Sequence, residues 1–196
     1  MNSTQNLKND HITIRRLGKI VQTCSNKLYL DKDIPVEDIE IISVVIEEFV
    51  DKFHHAKEEQ SYFPNTKYKK GYSEDIRKFL IEHELGRRIA IMLRRELNKM
   101  KFQIKQHKKG ECIDSKRIKE PVARFLKSYS VYITDHTGKE DNFFSLIEKS
   151  KDISNREDML IQKHYEFCKQ SIGGEVRIKE MIKLIEYLED RDWMKN

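Results

Sequence analysis

Histidine and glutamate are the residues through which this sequence can do chemistry. It has seven histidines, and His11, His54, His83 and His136 fall in four separate stretches whose apolar residues recur every third or fourth position. Glu58 follows His54 by four residues and Glu140 follows His136 by four, a spacing that puts both side chains on one helical face about one turn apart. An ionised carboxylate inside an apolar core costs several kcal/mol unless a cation compensates it. Four imidazoles and two carboxylates converging from four helices would compensate one another through one or two transition-metal ions. Imidazole suits iron and zinc, bridging carboxylates favour a dinuclear oxygen-chemistry site, and zinc alone leaves such a ligand set oversized.

The adjacent pair His54 and His55 must be separated by helical phase. With Ile46 at the centre of its face and ~100° per residue, His54 lies about 80° off centre and Glu58 about 120°, while His55 and Glu59 fall at roughly 180° and 220°. His54 with Glu58 is therefore expected to face inward, and His55 with Glu59 to face water.

The elements that must position these groups are long helices. The first stripe, His11, Ile14, Leu17, Val21, Cys24 and Leu28, predicts a helix ending near Asp31. Pro35 opens a second at a position where its missing N–H is harmless. This one carries Ile39, Ile42, Ile46, Phe49, Val50 and Phe53, and Pro64 with the polar run from Asn65 to Ser73 is expected to end it. A third stripe, Ile76, Phe79, Leu80, His83, Gly86, Ala90, Leu93 and Leu97, breaks around Gly110 and Cys112. The fourth runs through Ile118, Val122, Phe125, Tyr129, Tyr132, His136, Glu140, Phe143 and Ile147. Beyond Asn155 one or two more helices follow, punctuated by Gly173 and Gly174. Short connections make sequence neighbours antiparallel. The expected fold is thus an all-α, up-down-up-down four-helix bundle over residues 1–150 with a C-terminal helical extension over 151–196, packed on or beside the bundle.

Composition agrees. The 196 residues contain only 7 glycines and 3 prolines, with 36% charged and 38% hydrophobic side chains, which suits long helices and argues against a turn-rich β-sandwich, a collagen-like repeat or a glycine-rich phosphate-binding enzyme. The net charge of +5 is a small difference between 38 basic and 33 acidic residues spread along the chain, so no nucleic-acid partner is expected. Lysine-rich stretches at Lys67 to Lys70 and Lys105 to Lys109 are expected to be solvated loops. Cys24, Cys112 and Cys168 form neither an even framework nor a metal pair, as in a reducing cytoplasm. No apolar leader or long apolar run indicates export or a membrane.

Four segments together resemble the hemerythrin-like, HHE cation-binding family: Asp10 to Arg16 (DHITIRR), Phe53 to Glu59 with Tyr62 to Pro64 (FHHAKEE, YFP), Glu82 to Arg87 (EHELGR) and Asp135 to Phe144 (DHTGKEDNFF). The resemblance covers roughly residues 8 to 150. It implies that His11, His54, Glu58, His83, His136 and Glu140 bind a non-haem pair of iron ions, bridged by the two glutamates and an oxo or hydroxo group. It also implies a C-terminal helical tail like Leu160 to Leu188.

Two departures from the oxygen-carrying members stand out. They place a second histidine four residues after the third-helix one, where this chain has Arg87, so a fifth imidazole is expected to be missing. They also close the fourth-helix pair with an aspartate at a spacing of five, and here both Glu140 and Asp141 are available; Glu140 lies nearer the stripe. With four imidazoles each iron would keep about one position for an outside ligand. The expected ligands are O2, NO or peroxide, bound or turned over with an unidentified electron donor. Iron storage, or iron donation to damaged iron–sulfur clusters, is the alternative. Gly86 is expected to mark close helix packing, and Tyr132 to be a core aromatic, with a hydrogen bond to a ligand carboxylate as the alternative.

Overall fold

The computed structural model describes residues 2–69, 71–107 and 115–195, and all regular structure among them is helical. Gly110 and Cys112, invoked above as a break and as a thiol, lie outside the described residues. Helix α1 spans Ser3–Tyr29, its N-terminus capped by the Asn2 side chain accepting from the Gln5 N–H. It therefore begins two turns before the first stripe suggested. Helix α2 (Val36–Val45) starts immediately after Pro35. It continues without a break through two π-helical segments, π1 (Ile46–His55) and π2 (Glu58–Tyr62), into α3 (Phe63–Thr66). The rod ends at Thr66, two residues past Pro64 and inside the polar run expected to close it.

Helix α4 covers Ser73–His107, so Lys105 is helical rather than part of a loop, and α5 covers Ser115–Ser150. Lys69 is engaged with Glu157 at 2.7 Å instead of being free in solvent. Contacts between the long helices run in opposite order along their two members. Lys8, His11 and Ser25 of α1 meet Glu148, Asp141 and the Ala123 carbonyl of α5. Glu40, Glu47, Asp51 and Glu59 of the second rod meet Lys101, Arg94, Arg87 and His83 of α4.

The chain then folds back as α6 (Asn155–Ser171), α7 (Gly174–Glu189) and α8 (Asp192–Lys195). Helix α6 opens with a reciprocal cap between Ser154 and Glu157. Gly173 and Gly174 both adopt positive φ, 107° and 74°, which only glycine takes without strain, and they turn the chain between α6 and α7. Met181, Ile185 and Leu188 of α7 are fully buried in the main apolar core. Asp38 of α2 accepts from Trp193 Nε1 at 2.7 Å and from Arg191 at 2.9 Å. No helix is long and apolar enough to cross a membrane among the described residues.

The buried residues form two apolar clusters. One contains Ile14, Phe53, Leu93 and Tyr132; the other contains Leu7, Tyr62, Phe79 and Phe143. Along each rod a polar stretch separates them: His11 on α1, His54 to Glu58 on the second rod, His83 on α4, and His136 to Glu140 on α5.

Candidate metal centre

This polar layer is nearly sealed. His11, His54, Glu58, His83 and Glu140 are 0% exposed and His136 is 1%, so all six residues singled out from the sequence meet in one place. A seventh joins them. His55 is 3% exposed and its ring stacks on His83 at 3.9 Å between centroids, which corrects the expectation that it faces water.

The physical reason is the π-helix. A π turn holds more residues than an α turn, and at roughly 80° per residue His54 lies about 80° to one side of the Ile46 direction while His55 lies almost on it. The phase shift brings two consecutive imidazoles inward, and it carries Glu59 inward after them. A fifth imidazole is therefore present in the layer, supplied by the second rod instead of by position 87.

Each Nδ1 faces a carboxylate. His11 pairs with Asp141 at 2.7 Å, His54 with Asp10 at 3.1 Å, His83 with Glu59 at 2.7 Å and His136 with Glu82 at 2.8 Å; His55 lies 3.6 Å from Asp51. Such pairing fixes the tautomer that carries its proton on Nδ1 and leaves Nε2 as a lone pair directed inward. Asp141 is thus spent on His11 and Arg15 at the rim, while Glu140 enters the layer.

The two glutamates lie between the imidazoles. Glu58 Oε1 is 3.3 Å from His54 Nε2 and its Oε2 is 3.4 Å from His83 Nε2. Glu140 Oε1 is 3.4 Å from His83 Nε2, and its Oε2 is 3.2 Å from His136 and 3.4 Å from His11. The donors group into His55, His83 and His136 on one side and His11, His54, Glu58 and Glu140 on the other, with the ligand atoms of each group within 4.8 Å of one another.

Hydrogen bonding does not account for this arrangement. Of the ten buried side-chain atoms without a hydrogen-bond partner among the described residues, eight belong to His55, Glu58, His83, His136 and Glu140, where a protein ordinarily leaves few. His11 Nε2 and His54 Nε2 face each other at 3.0 Å. Without a cation this contact is a hydrogen bond from protonated His54 to the His11 lone pair; with one, both lone pairs can face the ion. Two imidazoles bound at right angles to one ion at about 2.1 Å would be about 3 Å apart, so the residues present fit a metal.

Electrostatics divides the two acids. Burial alone would raise Glu58, but His54, His83 and His55 hold its carboxyl far below the usual range. Burial, reinforced by the Glu58 charge, pushes Glu140 well above it. Burial opposes charge on His54, yet Glu58 and Asp10 outweigh it and raise that imidazole to about 9. Burial depresses His83 to about 3 and also lowers His11 and His55.

Three supporting residues were given no role at the site from the sequence: Lys57, Asp51, and Glu59, which was expected to face water and instead binds His83 and Arg87. Lys57 is 1% exposed, paired with Asp10 and donating to Asn6 Oδ1 at 2.6 Å, with its ammonium over the Phe53 ring at 4.4 Å. It fixes the acid that holds His54. Asp51 and Glu59 are both bound by Arg87, at 2.7 and 2.6 Å. The arginine thus steadies the carboxylates beside His55 and His83 and stays out of the layer. Of these, only Asp51 carries a spacing signal, four residues before His55. Tyr132 stacks on His136 at 5.3 Å and its buried hydroxyl has no partner, so it reaches no ligand carboxylate. It lies against Gly86, where an added Cβ would come within 2.6 Å of that hydroxyl.

The family model described as hemerythrin HHE cation binding domain matches residues 2–114. That span includes His11, His54, His55, Glu58 and His83 and ends before α5. No curated protein and no solved structure matches the chain.

Proposed function

We propose, because the chain belongs to the hemerythrin HHE cation-binding family, that its polar layer holds two iron ions and through them binds or reacts with small ligands: O2, NO or peroxide. The observation that carries this reading is the set of seven orphaned, buried atoms, the Nε2 of His55, His83 and His136 and the four oxygens of Glu58 and Glu140, that face one another between two apolar clusters. His55, His83 and His136 would hold one ion, His11 and His54 the other, and Glu58 and Glu140 would each reach both. Five imidazoles and four carboxylate oxygens make nine donors. Two tetrahedral zinc ions take about eight, whereas two six-coordinate irons take about twelve and keep roughly three positions for water and an outside ligand. That is one fewer than four imidazoles would leave. Iron supplies redox chemistry and a Lewis-acidic seat. The chain's own residues hold four of the Nε2 atoms inward through carboxylates bonded to Nδ1, keep bulk water out, and retain a proton on His54 until a cation replaces it.

The opposite order of contacts along the long helices supports an up-down-up-down bundle over residues 1–150, with 151–196 as an extension packed on α1 and α2 through Arg16–Glu189 and Asp38–Trp193. Cys24 and Cys168, buried and free, suit a reducing cytoplasm. Elemental analysis of protein produced with iron and zinc both available tests the metal assignment. The expected result is close to two irons per chain, falling below one in Glu58→Gln. One zinc per chain, unaffected by Glu58→Gln, contradicts it.

A further inference from the structure

The imidazoles are not held equally. Four of them have Nδ1 within 2.7–3.1 Å of a carboxylate. His55 lies 3.6 Å from Asp51, whose Oδ1 accepts from Arg87 Nε at 2.7 Å, and neither of its ring nitrogens has a hydrogen-bond partner among the described residues. His55 also lines a cavity. Between π1 and α4 lies a half-open groove of about 230 Å³ walled by Ile46, Gly86, Ala90, Ile91 and Tyr129, with His55 at its inner end.

The groove's chemistry selects what enters it. Its walls are apolar, and the charges around its mouth, three of each sign, are bonded to one another: Glu47 with Lys52 and Arg94, and Arg87 with Asp51 and Glu59. Paired charges produce little net field to draw in an ion, and an apolar wall gives a hydrated ion nothing in exchange for its water. A small neutral molecule meets neither obstacle. Ala90 on α4, with a single methyl group, keeps the passage open on that side.

Resting on the metal reading above, we propose that this groove is the port through which small neutral molecules of diatomic size reach the metal pair, and that His55 is the donor that gives way to them. The side holding His55, His83 and His136 has the most protein donors and the least room for a further ligand. An imidazole free of a carboxylate bond, with a cavity beside it, is the one that can move aside.

The test reads the port with and without metal. The full chain as purified is treated with diethyl pyrocarbonate, a small neutral reagent for imidazole, and the order of modification of the five layer histidines is read by mass spectrometry. The same is done for Ala90→Phe, which plugs the groove away from every proposed ligand, and for Ala90→Leu, a smaller plug. His55 is expected to react first, and Ala90→Phe to slow it about tenfold or more, with Ala90→Leu in between and circular dichroism unchanged. In iron-loaded, reduced protein the association rate of NO should fall in the same order, with iron per chain constant and little dependence on salt. Another layer histidine reacting first, or plugs that leave His55 labelling or NO association at the wild-type rate, would overturn the port. Absence of metal from the purified chain would instead contradict the metal reading, and the labelling order would still judge the groove.

Discussion

Glu58 and Glu140 both lie between imidazoles and share His83, yet their surroundings give them opposite characters. Glu58 is held ionised by His54, whereas Glu140 is pushed toward its neutral form by burial and by the Glu58 charge. Replacement by glutamine separates them. In protein stripped of metal, Glu140→Gln substitutes a neutral group for one already neutral and should leave the melting temperature unchanged or higher. Glu58→Gln removes the counter-charge of a buried imidazolium and should destabilise by about 3 kcal/mol or more. Both variants should lose metal. Thermal unfolding of the two stripped variants checks this, and equal losses would mean that the acids are not differentiated. At this scale the ligand types were legible in the sequence, because histidine and glutamate at spacings of four on an apolar stripe have few other reasons to be there. The Nδ1 carboxylates were less so. Asp10, Glu59 and Glu82 look like ordinary helix-surface acids, and nothing in their spacing says which imidazole they meet across a helix boundary.

Among the elements, the second rod decided what the sequence could not. Its π-helical phase turned His55 from the solvent side into the layer, and the local residues give no signal of this, because a 3.6-residue period is the only one that apolar spacing announces. On α1, α4 and α5 the histidines were placed correctly for the opposite reason: each helix remains α-helical through the layer, so phase counted from the apolar residues still holds at the histidine, although Leu80, counted in the α4 stripe, is exposed. The packing of α4 on α5 yields a prediction of its own. Glycine to alanine inside a helix ordinarily stabilises by ~1 kcal/mol. At position 86 the new Cβ would lie 2.5–2.6 Å from ring atoms and the hydroxyl of Tyr132, whose ring is stacked on His136. Gly86→Ala should therefore destabilise by about 1–3 kcal/mol, and adding Tyr132→Leu should recover much of that loss. A higher melting temperature in the single variant would show that the aromatic ring moves freely.

For the whole molecule, the layer makes stability depend on pH in opposite ways with and without metal. Without metal, His54 is at about 9 in the folded state against 6.5 as its ordinary value, so the stability it contributes is complete below ~6.5 and is lost as pH rises toward 9. Glu140, raised when folded, acts in the same direction, because above its ordinary range the unfolded chain sheds a proton that the folded chain keeps. His83, held at about 3, with His11 and His55 also lowered, acts the other way: as pH falls below ~6.5 the unfolded chain takes up protons that the folded one refuses. The layer's contribution to metal-free stability should peak near pH 6.5. Metal must displace the protons on His54 and Glu140, so its affinity should rise over the range where that contribution falls. The gap in melting temperature between loaded and stripped protein should accordingly widen from pH 6.5 to 9; a constant gap would mean that binding releases no protons from these groups. The central claim, that one buried layer holds two ions shared by Glu58 and Glu140, is tested most directly by anomalous diffraction at the iron edge on crystals of the full chain. The account predicts two peaks, one among His55, His83 and His136 and one between His11 and His54. A single peak, or none within reach of Glu58 and Glu140, would contradict it.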